Sequence, residues 1–144
     1  MSEQRIGKYR LVSLLASGGM GEVFLARMEG PAGFARTVVI KRILPHLARD
    51  PAFVQMFLDE ARVAAQLAHP NIVQVIELGE HEGTWFMAME YVHGKSTRAL
   101  RQELAARNQE MPPVVVARIM SQALQGLQYA HTAVSDVGVP LDVI

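Results

Sequence analysis

The chain of 144 residues has no cysteine, so no disulfide framework exists and thiol usage says nothing about compartment. Neither charge is in excess: 14 Lys and Arg balance 14 Asp and Glu, which argues against a nucleic-acid-binding surface. No apolar run approaches the roughly 18 residues of a membrane span, and Met1 to Lys8, polar and charged, reads as no signal peptide. The 5 histidines never pair at a helix-face or zinc-ligand spacing. Internal repeats and low-complexity tracts are also missing. What remains is a chain with half its residues apolar, long enough to bury about two thirds of its unfolded surface as one domain.

The most informative feature present is a glycine turn, Ser17-Gly18-Gly19-Met20-Gly21. It is not a Walker-type loop, because no pair of glycines at the required spacing precedes a Lys followed by Ser or Thr. A dinucleotide fingerprint would continue into a helix and place an acidic residue about twenty positions on. Here Glu22-Val23-Phe24-Leu25-Ala26-Arg27 follows, rich in β-formers and without a helix cap, and the later position is occupied by Lys41. The glycines therefore join two strands. On its own such a turn is a plain hairpin; in a nucleotide site its backbone N–H groups would approach phosphate oxygens, and Lys41 would supply positive charge to them.

The strand Arg36 to Arg42 alternates, with Thr37, Val39 and Lys41 on one face and Val38 and Ile40 on the other. Asp50-Pro51 reads as the cap and first residue of a helix that runs to about Ala68, where His69-Pro70 ends it. Its apolar stripe holds Phe53, Met56, Phe57, Ala64 and Leu67, and Glu60 lies on that stripe. An inward carboxylate is costly unless paired, so Glu60 either takes Lys41 as its cation or sits at the rim of the stripe in water. Asp59, beside Gln55, Arg62 and Gln66, is an ordinary solvated acid. His69 reads as a structural turn residue.

Five ordered motifs carry a resemblance: Leu15 to Val23, Val38 to Lys41, Glu60-Ala61, His69 to Val73, and Met89 to Val92. Together they resemble the small lobe of a bacterial, eukaryotic-like serine/threonine protein kinase. The implied fold is α+β: residues 1–93 form the small lobe with its ATP site, a five-stranded antiparallel sheet and one main helix. Residues 94–144 form an incomplete large lobe of two helices and a short extended end.

The resemblance also implies roles. Gly18 and Gly21 match the second and third glycines of the phosphate-covering loop, and Ala16 stands where the first belongs. Val23 and Val39 match the residues above adenine, the second usually alanine in the family. Lys41 matches the lysine that holds the α- and β-phosphates, and Glu60 its helix partner. Met89 matches the residue guarding the back of the pocket, and Glu90 to Val92 the segment whose backbone hydrogen-bonds adenine. The implied nucleotide-binding set is Ala16, Ser17, Gly18, Gly19, Met20, Gly21, Val23, Val39, Lys41, Met89, Glu90 and Val92, with ATP as ligand.

Past Val92, with Gly94 as hinge, Ser96 reads as the cap of a helix through about Asn108, and Pro112-Pro113 opens a second to about Val134. The second carries a broad stripe of Val116, Ile119, Met120, Ala123, Leu124, Leu127, Ala130, His131 and Val134, with His131 expected in the core. An exposed apolar face from Val114 to Val134 is therefore expected, with a protein partner as its cover. Leu141 to Ile144 reads as extended. The aspartates are Asp50, Asp59, Asp136 and Asp142, and the asparagines Asn71 and Asn108. None stands in a His-Arg-Asp or Asp-Phe-Gly context, so the base and the magnesium ligands of the family are expected to be missing, and magnesium would bind only if another segment supplied them. Three readings stay open: the ATP-binding portion of a cytoplasmic serine/threonine kinase, a pseudokinase-like binding module, or a gene fragment without function.

Overall fold

The computed structural model describes residues 4–19, 21–135, 138–141 and 143. Met1, Met20, Asp136, Asp142 and Ile144 lie outside the described residues. Residues up to Ala68, together with Val73–Tyr91, form one compact unit; His69–Ile72 and the residues from Val92 on form a second.

The first unit is built on one antiparallel sheet. Its strands are β1 (Arg5–Ile6), β2 (Tyr9–Ser17), β3 (Gly21–Glu29), β4 (Ala35–Ile43), β5 (Val75–His81) and β6 (Thr84–Glu90), in the order β1-β2-β3-β4-β6-β5. Five strands were expected; the sixth is β1, whose two residues pair with Arg10 and Tyr9 across the Gly7 turn. A two-residue strand is too short to show any alternation, which is why the polar start gave no sign of it. The expected turn at Gly30 to Gly33 is a 3-10 turn, Pro31–Gly33.

Alternation along β4 divides the core as its sequence pattern requires. Val38 and Ile40 are fully buried on the outer face with Ile6, Tyr9, Ala26, Phe86 and Ala88. The inner face carries Ile43 and Met87, packed with Phe57 and Ala61 of the helix α1 (Pro51–Gln66). The sheet curls strongly. Tyr9, near one edge, donates its hydroxyl proton to Glu77 Oε2 on the opposite edge strand at 2.5 Å. Lys8 Nζ lies 2.6 Å from the same oxygen, and the Phe86 ring meets Tyr9 edge-on at 5.7 Å. Burial, then the hydrogen bond to Glu77, pushes the Tyr9 phenol well above its ordinary value. Partial burial alone would raise the Glu77 carboxyl, but its Lys8 and Tyr9 contacts outweigh that and hold it below its ordinary value. Arg10 and Arg5 together hold the Glu29 carboxyl low.

Asp50 caps α1 as expected: its Oδ1 accepts the Ala52 N–H at 2.9 Å, and Pro51 is the first helical residue. The helix stops at Gln66, two residues short of expectation, with Leu67 as its cap. Its buried line runs through Phe57 and Ala61, so Met56, expected on the stripe, is 53% exposed. Asp59 accepts from Gln55 at 2.8 Å and from Arg62 at 3.0 Å, the solvated role assigned to it.

In the second unit, Ser96 caps α2 (Thr97–Ala106) through the Ala99 N–H at 3.2 Å. The helix ends before Asn108, which takes a positive φ of 53°. Asn108 N–H then donates to Ala105 and Gln109 N–H to Leu104, the pattern of a left-handed helix stop. The helix α3 (Pro113–Thr132) buries only Gly126 and Ala130. Val134, expected in the helix, instead bridges to Pro140. His131, expected in the core, is exposed. The His69 turn docks on α3 within this unit: His69 Nδ1 accepts the Asn71 N–H at 3.1 Å, and Asn71 Nδ2 donates to the Gln122 carbonyl at 2.9 Å. Gly126 allows the approach, because a Cβ there would lie 3.3 Å from the Asn71 carbonyl oxygen.

Candidate functional site

The glycine turn closes between the last rung of β2 and β3, Ser17 opposite Glu22. Gly18 N–H donates to the Gly21 carbonyl at 3.0 Å. Gly21 cannot be another residue without movement, since a Cβ would stand 2.7 Å from the Arg42 carbonyl oxygen of β4. At Gly18 and Gly19, by contrast, nothing lies within 4 Å of where a Cβ would be, so the turn is open around them.

Strand register then gathers the inner-face residues. Val23 pairs with Lys41, Leu25 with Val39, and Val39 with Met89, so Val23, Val39, Lys41 and Met89 share one face of three adjacent strands. Lys41 Nζ reaches both carboxylate oxygens of Glu60, at 2.5 and 2.7 Å, and lies 5.9 Å from the centre of the Phe57 ring. The two alternatives for Glu60 merge: it sits at the rim, its side chain 47% exposed, and it holds Lys41, which is 24% exposed. The burial of Phe57 and Ala61 on either side of Glu60 fixes the helix that presents it.

Most sequence-predicted site residues are brought together. Ala16 and Ser17 end β2, Gly18 and Gly19 form the turn, Gly21 and Val23 open β3, and Met89 and Glu90 end β6. Val92 belongs to the second unit and is 61% exposed. Met20 lies outside the described residues. Two features escaped sequence reasoning. Leu15 falls in a β-bulge between the Leu14 and Ala16 rungs and stays half-exposed beside the turn; no alternation pattern reveals a bulge. Gln74 fixes Glu90 from both sides: its carbonyl accepts the Glu90 N–H at 3.0 Å, and its N–H donates to Glu90 Oε1 at 2.8 Å.

In the second unit, α3 leaves Val114, Met120, Leu124 and Leu127 exposed, as the apolar stripe predicted. A groove of ≈ 890 Å³ runs between α2 and α3, lined by Leu104, Met111, Val116, Ile119 and Met120 among others. Among the described residues, no three or more His, Cys, Asp or Glu side chains gather into a metal-holding group. No helix among them is long and apolar enough to cross a membrane.

Comparison with known proteins agrees with this fold. Residues 9–135 match the family described as protein kinase domain. The chain is 48% identical over 141 residues to the tyrosine-protein kinase MasK of Myxococcus xanthus, which covers 98% of this chain and 22% of that protein. It is 33% identical over 125 residues to the serine/threonine-protein kinase PrkC of Bacillus subtilis, 87% of this chain and 18% of that one. Among solved structures, the Mycobacterium tuberculosis PknI kinase domain superposes with a TM-score of 0.66 at 33% identity, over 91% of this chain and half of that domain. The chain thus spans about half of that domain and about a fifth of the curated relatives' length. With its ordered motifs, its curled sheet and its Lys41–Glu60 pair, the chain belongs to the protein kinase domain family.

Proposed function

We propose that these residues form the ATP-holding portion of a cytoplasmic protein kinase. The observation that carries the reading is the ion pair of Lys41 with both oxygens of Glu60, set on the same face as Val23 and Val39 and beside the glycine turn. The residues fit a nucleotide. The open turn at Gly18 and Gly19 offers backbone to a polyphosphate. Lys41 supplies an ammonium whose direction Glu60 fixes, and Val23, Val39 and Met89 offer an apolar surface to a flat ring. ATP would bring the transferable phosphoryl group; the residues here orient it.

They do not fit a magnesium site. The 144 residues hold neither a His-Arg-Asp nor an Asp-Phe-Gly sequence, so the base and the metal ligands must come from residues outside them. Phosphoryl transfer by these residues alone is accordingly proposed to be negligible. The acceptor is proposed as a protein serine or threonine, as in PrkC; the likeness to the tyrosine-protein kinase MasK favours tyrosine as a second reading. A binding module without turnover is the further alternative, since Lys41 and Glu60 are paired here without that base.

The test is Lys41→Met, which keeps most of the apolar stem and removes the charge. Nucleotide affinity should fall more than tenfold, on the scale of a lost charge-assisted contact, while the melting temperature without nucleotide changes little. Unchanged ATP affinity in the folded variant would refute the site.

A further inference from the structure

The outer face of the sheet carries an ion pair that none of the roles above uses. Arg42 follows Lys41 on β4 and so points to the opposite face. Its Nε and Nη2 lie 3.0 and 2.9 Å from Glu22 Oε2, and its guanidinium lies 4.7 Å from the centre of the Phe24 ring. The two charged side chains are only 16% and 21% exposed. Withdrawing a pair of charges that far from water costs more than surface pairing returns, and a forked contact stacked on a ring is one that lysine cannot reproduce.

The same residue also touches the glycine turn through its main chain. Gly21 rests on the Arg42 carbonyl at a distance no Cβ would tolerate, and Gly21 in turn accepts the Gly18 N–H. Glu22, gripped by the guanidinium, is the partner of Ser17 in the last rung before the turn. Arg42 therefore holds the stem of the turn at three points: its carbonyl under Gly21, its fork on Glu22, and its plane against Phe24. The rest of the β3–β4 ladder continues to Glu29 and Ala35 and does not need this pair to stay in register.

We propose that Arg42 and Glu22 are positioning residues for the glycine turn: from the far face of the sheet they set where the turn sits, and so the affinity for the phosphates of a nucleotide, without touching it. This rests on the reading that the turn covers nucleotide phosphates.

The test uses the full-length protein with Arg42→Lys, Glu22→Gln and the reversed pair Glu22→Arg/Arg42→Glu, each measured for dissociation constants of ATP and of adenosine and for melting temperature without ligand. Arg42→Lys keeps the charge but loses the fork and the stacking; Glu22→Gln keeps the shape but loses the charge. Both should weaken ATP by about tenfold and leave adenosine binding unchanged, and the reversed pair should recover part of the loss. A purely structural role would lower the melting temperature with ATP and adenosine affected alike, and that result overturns the proposal. ATP binding at the wild-type level in both folded single variants overturns it too. Lys41→Met separates the layers: if it leaves ATP affinity intact, the nucleotide site fails and the positioning role with it. If Lys41→Met weakens ATP while the Arg42 and Glu22 variants do not, only the positioning role falls.

Discussion

Replacing Tyr9 with phenylalanine removes one oxygen from the contact that ties β2 to β5. The ring stays buried against Phe86, so no cavity larger than a hydroxyl opens. The loss is the hydrogen bond to the Glu77 carboxylate, 2.5 Å long. Hydrogen bonds to charged groups contribute about 1.5–3 kcal/mol. Glu77 keeps Lys8 and is partly exposed, which places the cost at the lower end, about 1.5 kcal/mol. For a chain of this size that is a fall of roughly 3–6 °C in melting temperature.

The same contact gives the stability a pH signature. The Glu77 carboxyl is held below its ordinary value, so its contribution is present above the unfolded glutamate value of about 4.3 and is lost as pH falls through the folded value. The Tyr9 phenol is raised, so its contribution is full below about pH 10 and declines as pH climbs beyond that. Melting curves of wild type and Tyr9→Phe from pH 3 to pH 11 should differ by a near-constant gap at neutral pH that narrows at both ends. A gap under about 0.5 kcal/mol, the size of an ordinary surface substitution, together with parallel acid and alkaline limbs, would refute the cross-sheet account.

Two further substitutions follow from the site and from the His69 turn. Glu60→Gln should weaken ATP by at most about fivefold, because an exposed pair is worth about 1 kcal/mol or less and the Lys41 charge remains; a loss as large as that of Lys41→Met, read by calorimetry, would contradict this. Gly126→Ala gains about 1 kcal/mol of helix propensity but forces a Cβ to 3.3 Å from the Asn71 carbonyl, a crowding cost of about 1–3 kcal/mol, so the net is a loss of up to about 2 kcal/mol in thermal unfolding. Gly126→Val, with less propensity to gain and more bulk to place, should lose more than alanine, and a more stable valine variant would show that the turn does not pack there.

Local signals were legible where one residue type does one job. Asp50 and Ser96 stand at their helix starts because their short oxygens reach the first free N–H groups, and the β4 alternation sorts Val38 and Ile40 from Val39 and Lys41 with no tertiary information. The Lys41–Glu60 pair was legible as two alternatives because sequence spacing gives a helix face but not how far that face tilts from the sheet. Met56 and His131 failed for the same reason: a stripe drawn from periodicity is wider than the strip that packing covers, and Phe57 and Ala61 on one helix, Gly126 and Ala130 on the other, define that strip. Leu15 and the Glu22–Arg42 pair depend on strand register and on a bulge, which arise only when β2, β3 and β4 align.

The exposure of the Lys41–Glu60 pair makes it more informative about function than a buried pair would be. With Lys41 a quarter and Glu60 nearly half exposed, the pair adds little to folding, and the packing of Phe57 and Ala61 already fixes α1 against the sheet. Glu60 is therefore delivered to its place whether or not Lys41 is there to meet it. Removing Lys41 should leave the fold standing, so any change in ATP affinity reports the ligand and not the scaffold. A buried pair would not allow that separation, because breaking it leaves an uncompensated charge and destabilises the unit by about 3–5 kcal/mol, mixing binding with unfolding. The melting temperature without nucleotide and its rise with nucleotide are thus independent readings of the same variant, and in Lys41→Met only the second should move.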